Sequence, residues 1–189
     1  MEANLHPNTE HPSTQDSLLL VVDVQGKLAR LMHESEAMIA QQQILIEACR
    51  LLELPVVWAE QLPDKLGPTV PELGDKLSGL EPLAKSSFGC CGDTGLLEAI
   101  RASRRRQVIL CGIEAHVCVW QTAAALRRED YAVHLVCDAV SSRSSFNREI
   151  AFRRMAQAGV SLSNVEMVLF ELMGSAGHPR FRDVTRLLK

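Results

Sequence analysis

The chain has 189 residues, 47% of them hydrophobic and 23% charged, with a formal net charge of −3. That is enough for one domain with a sizeable core, with or without a tail. The acidic balance argues against a nucleic-acid surface, which would present a basic face, and no stretch approaches the ~18–20 apolar residues that cross a bilayer.

The N-terminal MEANLHPNTEHPSTQDS is polar and lacks the apolar stretch of a secretory signal, so residues 1–16 read as a flexible tail and residues 17–189 as the folded domain. Ser17–Val24 (SLLLVVDV) is an almost continuous apolar run, as in a parallel strand covered on both faces. From Glu34 to Leu54 the residues Met38, Ile39, Leu45, Ile46, Leu51 and Leu52 recur at helical spacing. Pro55 ends that helix, and Pro55–Ala59 (PVVWA) starts a second strand. Glu60–Gly79 holds Pro63, Gly67, Pro68, Pro71, Gly74 and Gly79, which predicts a long ordered loop with room for one helical turn. Loops of that length are often functional.

Leu83–Ser86 reads as a short extended segment, and Thr94 as the cap of a helix over Gly95–Arg104. Arg104, Arg105 and Arg106 are then a solvated helix end, where cations are favoured, rather than a phosphate-binding patch. Gln107–Gly112 (QVILCG) is a buried strand, Ala115–Arg128 a helix, Tyr131–Val136 a strand and Asp138–Ser142 a turn region. Ser145–Ala158 is helical and Val160–Leu162 a short strand. Ser163 or Asn164 caps the next helix, and Arg180–Leu188 is the last. Strand alternating with helix through short connections predicts an α/β fold: a mostly parallel, Rossmann-like sheet with helices on both faces, a three-layer α/β/α sandwich.

The six cysteines show no C-x-x-C spacing. Cys49, Cys111 and Cys137 lie in apolar runs and read as buried small hydrophobes. Cys90 and Cys91 are adjacent and read as packing or incidental thiols. Without a secretory signal this usage favours reduced thiols and a cytoplasmic location.

Ligands of such sheets bind at the carboxyl ends of the strands. Asp23, Cys118 and Asp138 pass that filter, and Lys85 joins them if the PLAKSSF segment runs along the sheet edge. Taken singly, each has a plain structural reading: a turn former, a packed thiol, a solvated lysine. As a group they make chemical sense. A free thiol has a pKa of about 8.5, so only about 3% is thiolate at pH 7, and a helix start favours the thiolate. A carboxylate about 4 Å away opposes it by about 4 kcal/mol at an effective dielectric of ~20. An Asp–Cys pair therefore works poorly without a cation, and Lys85 supplies one.

These motifs resemble the isochorismatase-like cysteine hydrolases, the superfamily that includes nicotinamidases and N-carbamoylsarcosine amidohydrolase. LLLVVDVQ, LAKSSFGC, LCGIEAHVCV and VCDAVSSRS stand in the family's order from Ser17 onward, and EQLPDKLGPTVPEL looks like the isochorismatase domain-containing subgroup. The resemblance implies Asp23 as proton acceptor, Lys85 as the catalytic lysine and Cys118 as nucleophile. It also implies a cis peptide between Ile113 and Glu114 that aims the backbone N–H groups of Glu114 and Cys118 into an oxyanion hole. Metal-binding nicotinamidases carry an Asp-x-His and further histidines after the second strand. WAEQLPDKLG has none, and His116 is isolated, so neither a metal nor another cofactor is expected. Gln25, Glu60 and His116, with Gln61 beside Glu60, are candidate substrate contacts. Phe88 reads as core; Trp58 and Trp120 read as core or subunit-interface residues, and Asp138 as a group that fixes the loop after its strand.

The expected activity is hydrolysis of a small amide or carbamoyl compound by a homo-oligomer that needs neither nucleic acid nor membrane. Two alternatives stay open here: a non-catalytic oligomeric module of the same fold, and a vinyl-ether hydrolase using Asp23 as general acid.

Overall fold

The computed structural model describes residues 11–189. Its centre is a six-stranded parallel sheet in the order β3-β2-β1-β4-β5-β6. The strands are β1 (Ser17–Val22), β2 (Val56–Gln61), β3 (Leu83–Lys85), β4 (Gln107–Ile113), β5 (Ala132–Ser141) and β6 (Ser161–Ser163). β1 and β4 are buried along their whole length, so their side chains alternate between two dry faces, as the unbroken apolar runs require. The strand order reverses between β1 and β4, the switch point at which such sheets leave a crevice at the carboxyl ends of the strands.

One helical layer holds α2 (Ser35–Leu51), α8 (Val165–Met173) and α9 (Phe181–Leu187), which pack on one another and, through α2 and α8, on β5. The other layer holds α5 (Thr94–Ala102), α6 (Trp120–Arg128) and α7 (Ser145–Gln157). Short turns α1 (Gly26–Arg30), α3 (Pro63–Leu66) and α4 (Pro71–Gly74) line the β1 and β2 exits. The Glu60–Gly79 region thus contains two helical turns, each opened by a proline at its first position, where the missing N–H costs nothing. Among the described residues no helix is long and apolar enough to cross a membrane.

Several boundaries differ from the sequence reading. β2 runs two residues further, through Glu60 and Gln61. Asp93, not Thr94, caps α5, accepting from Gly95 N and Leu96 N. The Asp138–Ser142 region is not mainly a turn: β5 continues through it to Ser141 after a shift of register against β4. Cys137 is half-buried because it sits at that irregularity, unlike Cys49 and Cys111. Of the expected tail, residues 1–10 lie outside the described residues. Residues 11–16 are tied down: Asp16 O accepts Arg106 N and Gln107 N, and Gln107 Oε1 accepts Ser13 N at 2.8 Å.

The register shift has a visible device. Gly112 sits at φ +125, and a Cβ built there would lie 2.1 Å from Val22 O. Only glycine lets β4 approach β1 this closely beside Asp23. Gly112→Ala is expected to lower stability by about 3 kcal/mol or more, the sum of a positive-φ penalty and overpacking against backbone. A fall in the denaturant midpoint at unchanged slope would record it.

Candidate active site

Asp23 follows β1 in a left-handed conformation (φ 56), which aspartate tolerates better than most residues. Its N–H is held by Ala59 O of β2, which turns the carboxylate into the crevice, where the residue is 2% exposed. Lys85, at the end of β3, reaches it from the sheet edge. Lys85 Nζ donates to Asp23 Oδ2 at 2.6 Å, Gln61 Oε1 at 2.6 Å, Ser87 O at 3.2 Å and Phe88 O at 3.0 Å. An ammonium has three protons, so four acceptors leave none of them idle. Gln61 is held in turn: its Nε2 donates to Ser86 O at 2.9 Å, which fixes its oxygen toward the lysine.

Cys118 enters from the other side of the switch point. The peptide between Ile113 and Glu114 is cis. It is followed by a π-helical turn, Ala115–Val119, that leads into α6. Cys118 is 8% exposed, and its thiol lies close enough to the Asp23 carboxylate for each group to shift the other's proton affinity. Asp23 Oδ1 is buried with no hydrogen-bond partner among the described residues, an open acceptor on the carboxylate that Lys85 holds through Oδ2.

The electrostatics follow from burial. Desolvation raises the Asp23 pKa above the ordinary carboxylate range, and the Lys85 charge pulls it partly back. Burial, with the neighbouring Asp23 charge added, pushes the Cys118 thiol up to about 12, against a smaller opposing effect of Lys85. The helix start does not deliver a resting thiolate; desolvation outweighs it. Cys90 is driven to about 12 mainly by its own burial, and its N–H rests on Thr122 Oγ1 at 2.9 Å, one turn beyond Cys118.

The residues expected to touch substrate are engaged elsewhere. Gln25 is fully buried and serves the backbone: Nε2 donates to Gln61 O and Gly67 O, and Oε1 accepts Gln61 N at 2.7 Å. Glu60 accepts Thr69 N at 2.6 Å, and Thr69 Oγ1 accepts Trp58 Nε1 at 2.8 Å, so both β2 side chains anchor the long loop. His116 contacts Ser142 Oγ at 2.9 Å and Asn147 Nδ2 at 3.5 Å. The Glu114 carboxylate takes Arg143 Nε at 3.0 Å. Asp138 accepts Val165 N at 3.0 Å and thereby caps α8. Phe88 is not core: it is 56% exposed. Gln61, expected with Glu60 as a substrate contact, instead holds Lys85, one residue beyond Glu60 on a strand that alternates faces.

An isochorismatase domain matches residues 17–167. The chain belongs to the isochorismatase family. Isochorismatase domain-containing protein 2 of Danio rerio is 41% identical over 181 residues, covering 93% of this chain and 88% of the relative. The Homo sapiens protein of that name is 39% identical over 174 residues, with 92% and 83% covered. Among solved structures, the MAR1 ribonuclease of Caenorhabditis elegans is 38% identical, with a TM-score of 0.89 over 95% of this chain and 92% of that one. The YcaC gene product of Escherichia coli, described as an octameric hydrolase of unknown specificity, shares the fold at 24% identity and a TM-score of 0.85, with 97% and 96% covered.

The buried pair dictates a stability test. Lys85→Met leaves Asp23 uncompensated and strands Gln61 Oε1 and two carbonyls, at an expected cost of about 3–5 kcal/mol. Adding Asp23→Asn removes the orphan charge, so the double variant is expected to lose less than the sum of the singles. Additive losses in chemical denaturation would show the two side chains to be uncoupled.

Proposed function

We propose that this family member is a metal-independent cysteine hydrolase of small amide or carbamoyl compounds, with Asp23, Lys85 and Cys118 acting as one unit. The observation that carries the reading is the shared carboxylate: Lys85 Nζ lies 2.6 Å from Asp23 Oδ2, Asp23 Oδ1 is buried with no hydrogen-bond partner among the described residues, and the carboxylate and the Cys118 thiol shift each other's proton affinity. In the first half-reaction Asp23 takes the thiol proton as sulfur attacks the carbonyl carbon. The backbone N–H groups of Glu114 and Cys118 receive the developing oxyanion. Asp23 passes the proton to the leaving nitrogen and the C–N bond breaks, leaving an acylated Cys118. Asp23 then takes a proton from water, whose oxygen displaces the thiol. Lys85 keeps the cluster near neutrality throughout, since one carboxylate and one ammonium surround a thiol that is neutral at rest. The reading includes work in the cytoplasm, where the thiols stay reduced.

The name of the C. elegans relative makes single-stranded RNA a necessary control substrate. A net charge of −3 and a nucleophile only 8% exposed favour a small carbonyl compound over a polymer phosphodiester.

Cys118→Ala is expected to abolish turnover of small amides, by a factor of about 10³ or more, and Asp23→Asn likewise. Full activity in Cys118→Ala alongside a dead Asp23→Asn would assign the chemistry to acid catalysis on a vinyl ether. The thiol itself gives an opposite sign. Because its pKa is raised to about 12, alkylation of Cys118 by iodoacetamide should climb about tenfold per pH unit from pH 7 to 10, with no plateau near neutrality. Asp23→Asn removes the opposing charge and should speed alkylation at pH 8 while it stops catalysis. A plateau below pH 8 in the native enzyme, located at Cys118 by peptide mass spectrometry, would contradict the neutral resting thiol.

The reading also takes the protein as a homo-oligomer, in keeping with the exposed apolar Leu31, Phe146, Met167 and Phe170. Light scattering should return a mass of at least twice 20.9 kDa; a monomer at micromolar concentration would remove this part.

A further inference from the structure

On the outer face of α6 lies a cavity of about 420 Å³ that the proposed chemistry does not use. Phe88, Trp120, Ala124, Ala125, Arg128 and Arg154 form most of its lining. α6 presents two alanines to it, Ala124 and Ala125, with no side chain beyond Cβ, between the polar Gln121 and Arg128. Phe88, one of the lining residues, is 56% exposed.

Its charge is one-sided. Among the described residues no acidic residue lines it. Arg154 stacks its guanidinium on the Trp120 ring at 4.4 Å from the centroid and makes no ion pair among the described residues. Arg128 has no ion-pair partner among the described residues, and the adjacent acid, Glu129, is taken by Arg101 at 2.6 Å. Two guanidinium groups without counter-ions beside aromatic rings and two alanines match a carboxylate on a flat apolar body.

One wall is functional. Ser87 and Phe88 line the cavity, and their carbonyls supply two of the acceptors on Lys85 Nζ. Trp120 lies two residues beyond Cys118. A ligand that presses on Phe88 therefore acts on the strap that positions the active-site cation.

We propose that this cavity binds a small aromatic carboxylate and that its occupancy alters the reactivity of Cys118 through the Ser87–Phe88 strap. The binding claim is independent of the chemistry; only the coupling rests on the proposed triad.

Benzoate titrated into the intact protein and followed by calorimetry is the test. A saturable isotherm is expected, weakened at least tenfold in Arg128→Gln and in Arg154→Gln and retained in Cys118→Ala. Both arginines are exposed, so the variants should fold, and circular dichroism checks that they do. No saturable binding, or binding unchanged in both variants, overturns the site. Inorganic phosphate binding as tightly as benzoate overturns the apolar part of the assignment. For the coupling, saturating benzoate should change the Cys118 alkylation rate at pH 8.5 at least threefold in the native protein and not in Arg128→Gln. An unchanged rate overturns the coupling. A Cys118 that never alkylates, with or without benzoate, overturns the coupling and counts against the triad reading, while the benzoate isotherm still decides the binding site.

Discussion

The site depends on a buried ammonium. Lys85 is 3% exposed, and an isolated charge in that position would be several kcal/mol too costly to keep. It stays because four oxygens from three chain segments converge on it: Asp23 after β1, Gln61 at the end of β2, and the carbonyls of Ser87 and Phe88 after β3. Those segments would otherwise be separate loops at a sheet edge. The ammonium makes them one structure, and the parallel order β3-β2-β1 is what brings their ends within reach of a single atom.

The thiol's half of the crevice is built differently. Cys118 belongs to the β4 exit, which is stitched to the β5 exit by several separate pairings rather than by one buried ammonium. Glu114 holds Arg143, His116 meets Ser142, and Ser142 O accepts His33 N from the turn after α1. Gly112 lets β4 close on β1. The halves meet at the Asp23 carboxylate, so small shifts in either exit change the Asp23–Cys118 relation directly. That explains why residues expected to touch substrate hold backbone instead: a site assembled from loop ends needs its nearest polar side chains as fasteners.

The parts legible in sequence are those governed by local periodicity or by charge. The apolar runs of β1 and β4 mark their own strands, and the need for a cation between a carboxylate and a thiol gives the group its chemical sense, while the family resemblance points to Lys85 as that cation. What escapes depends on direction. With β2 expected to stop at Ala59, the alternation that sends Glu60 to Thr69 and Gln61 to Lys85 cannot be followed. β5 reads as ending at Val136 because Asp138 looks like a turn residue, whereas the register shift lets its carboxylate leave the sheet and cap α8. The Ala115–Val119 turn reads as ordinary helix, since π and α winding differ in hydrogen-bond partner and not in residue type. Phe88 reads as core on hydrophobicity alone, yet it lies on the strap that Lys85 pulls inward by its carbonyls, which leaves the ring facing out.

A thiol held near 12 is consistent with nucleophilic catalysis once the base is considered with it. Burial raises the proton affinity of thiolate and carboxylate together, while Lys85 lowers both. The difference between them sets the cost of moving the proton from sulfur to Asp23, and a shared environment changes that difference less than it changes either value alone. A resting thiolate would be open to any electrophile and would leave the Asp23–Lys85–Cys118 cluster with net negative charge in a dry crevice. A neutral thiol beside a ready carboxylate avoids both. In the proposed mechanism it places formation of the nucleophile at the moment a carbonyl arrives to accept the electrons, when developing charge on oxygen would be met by backbone donors instead of by the protein interior.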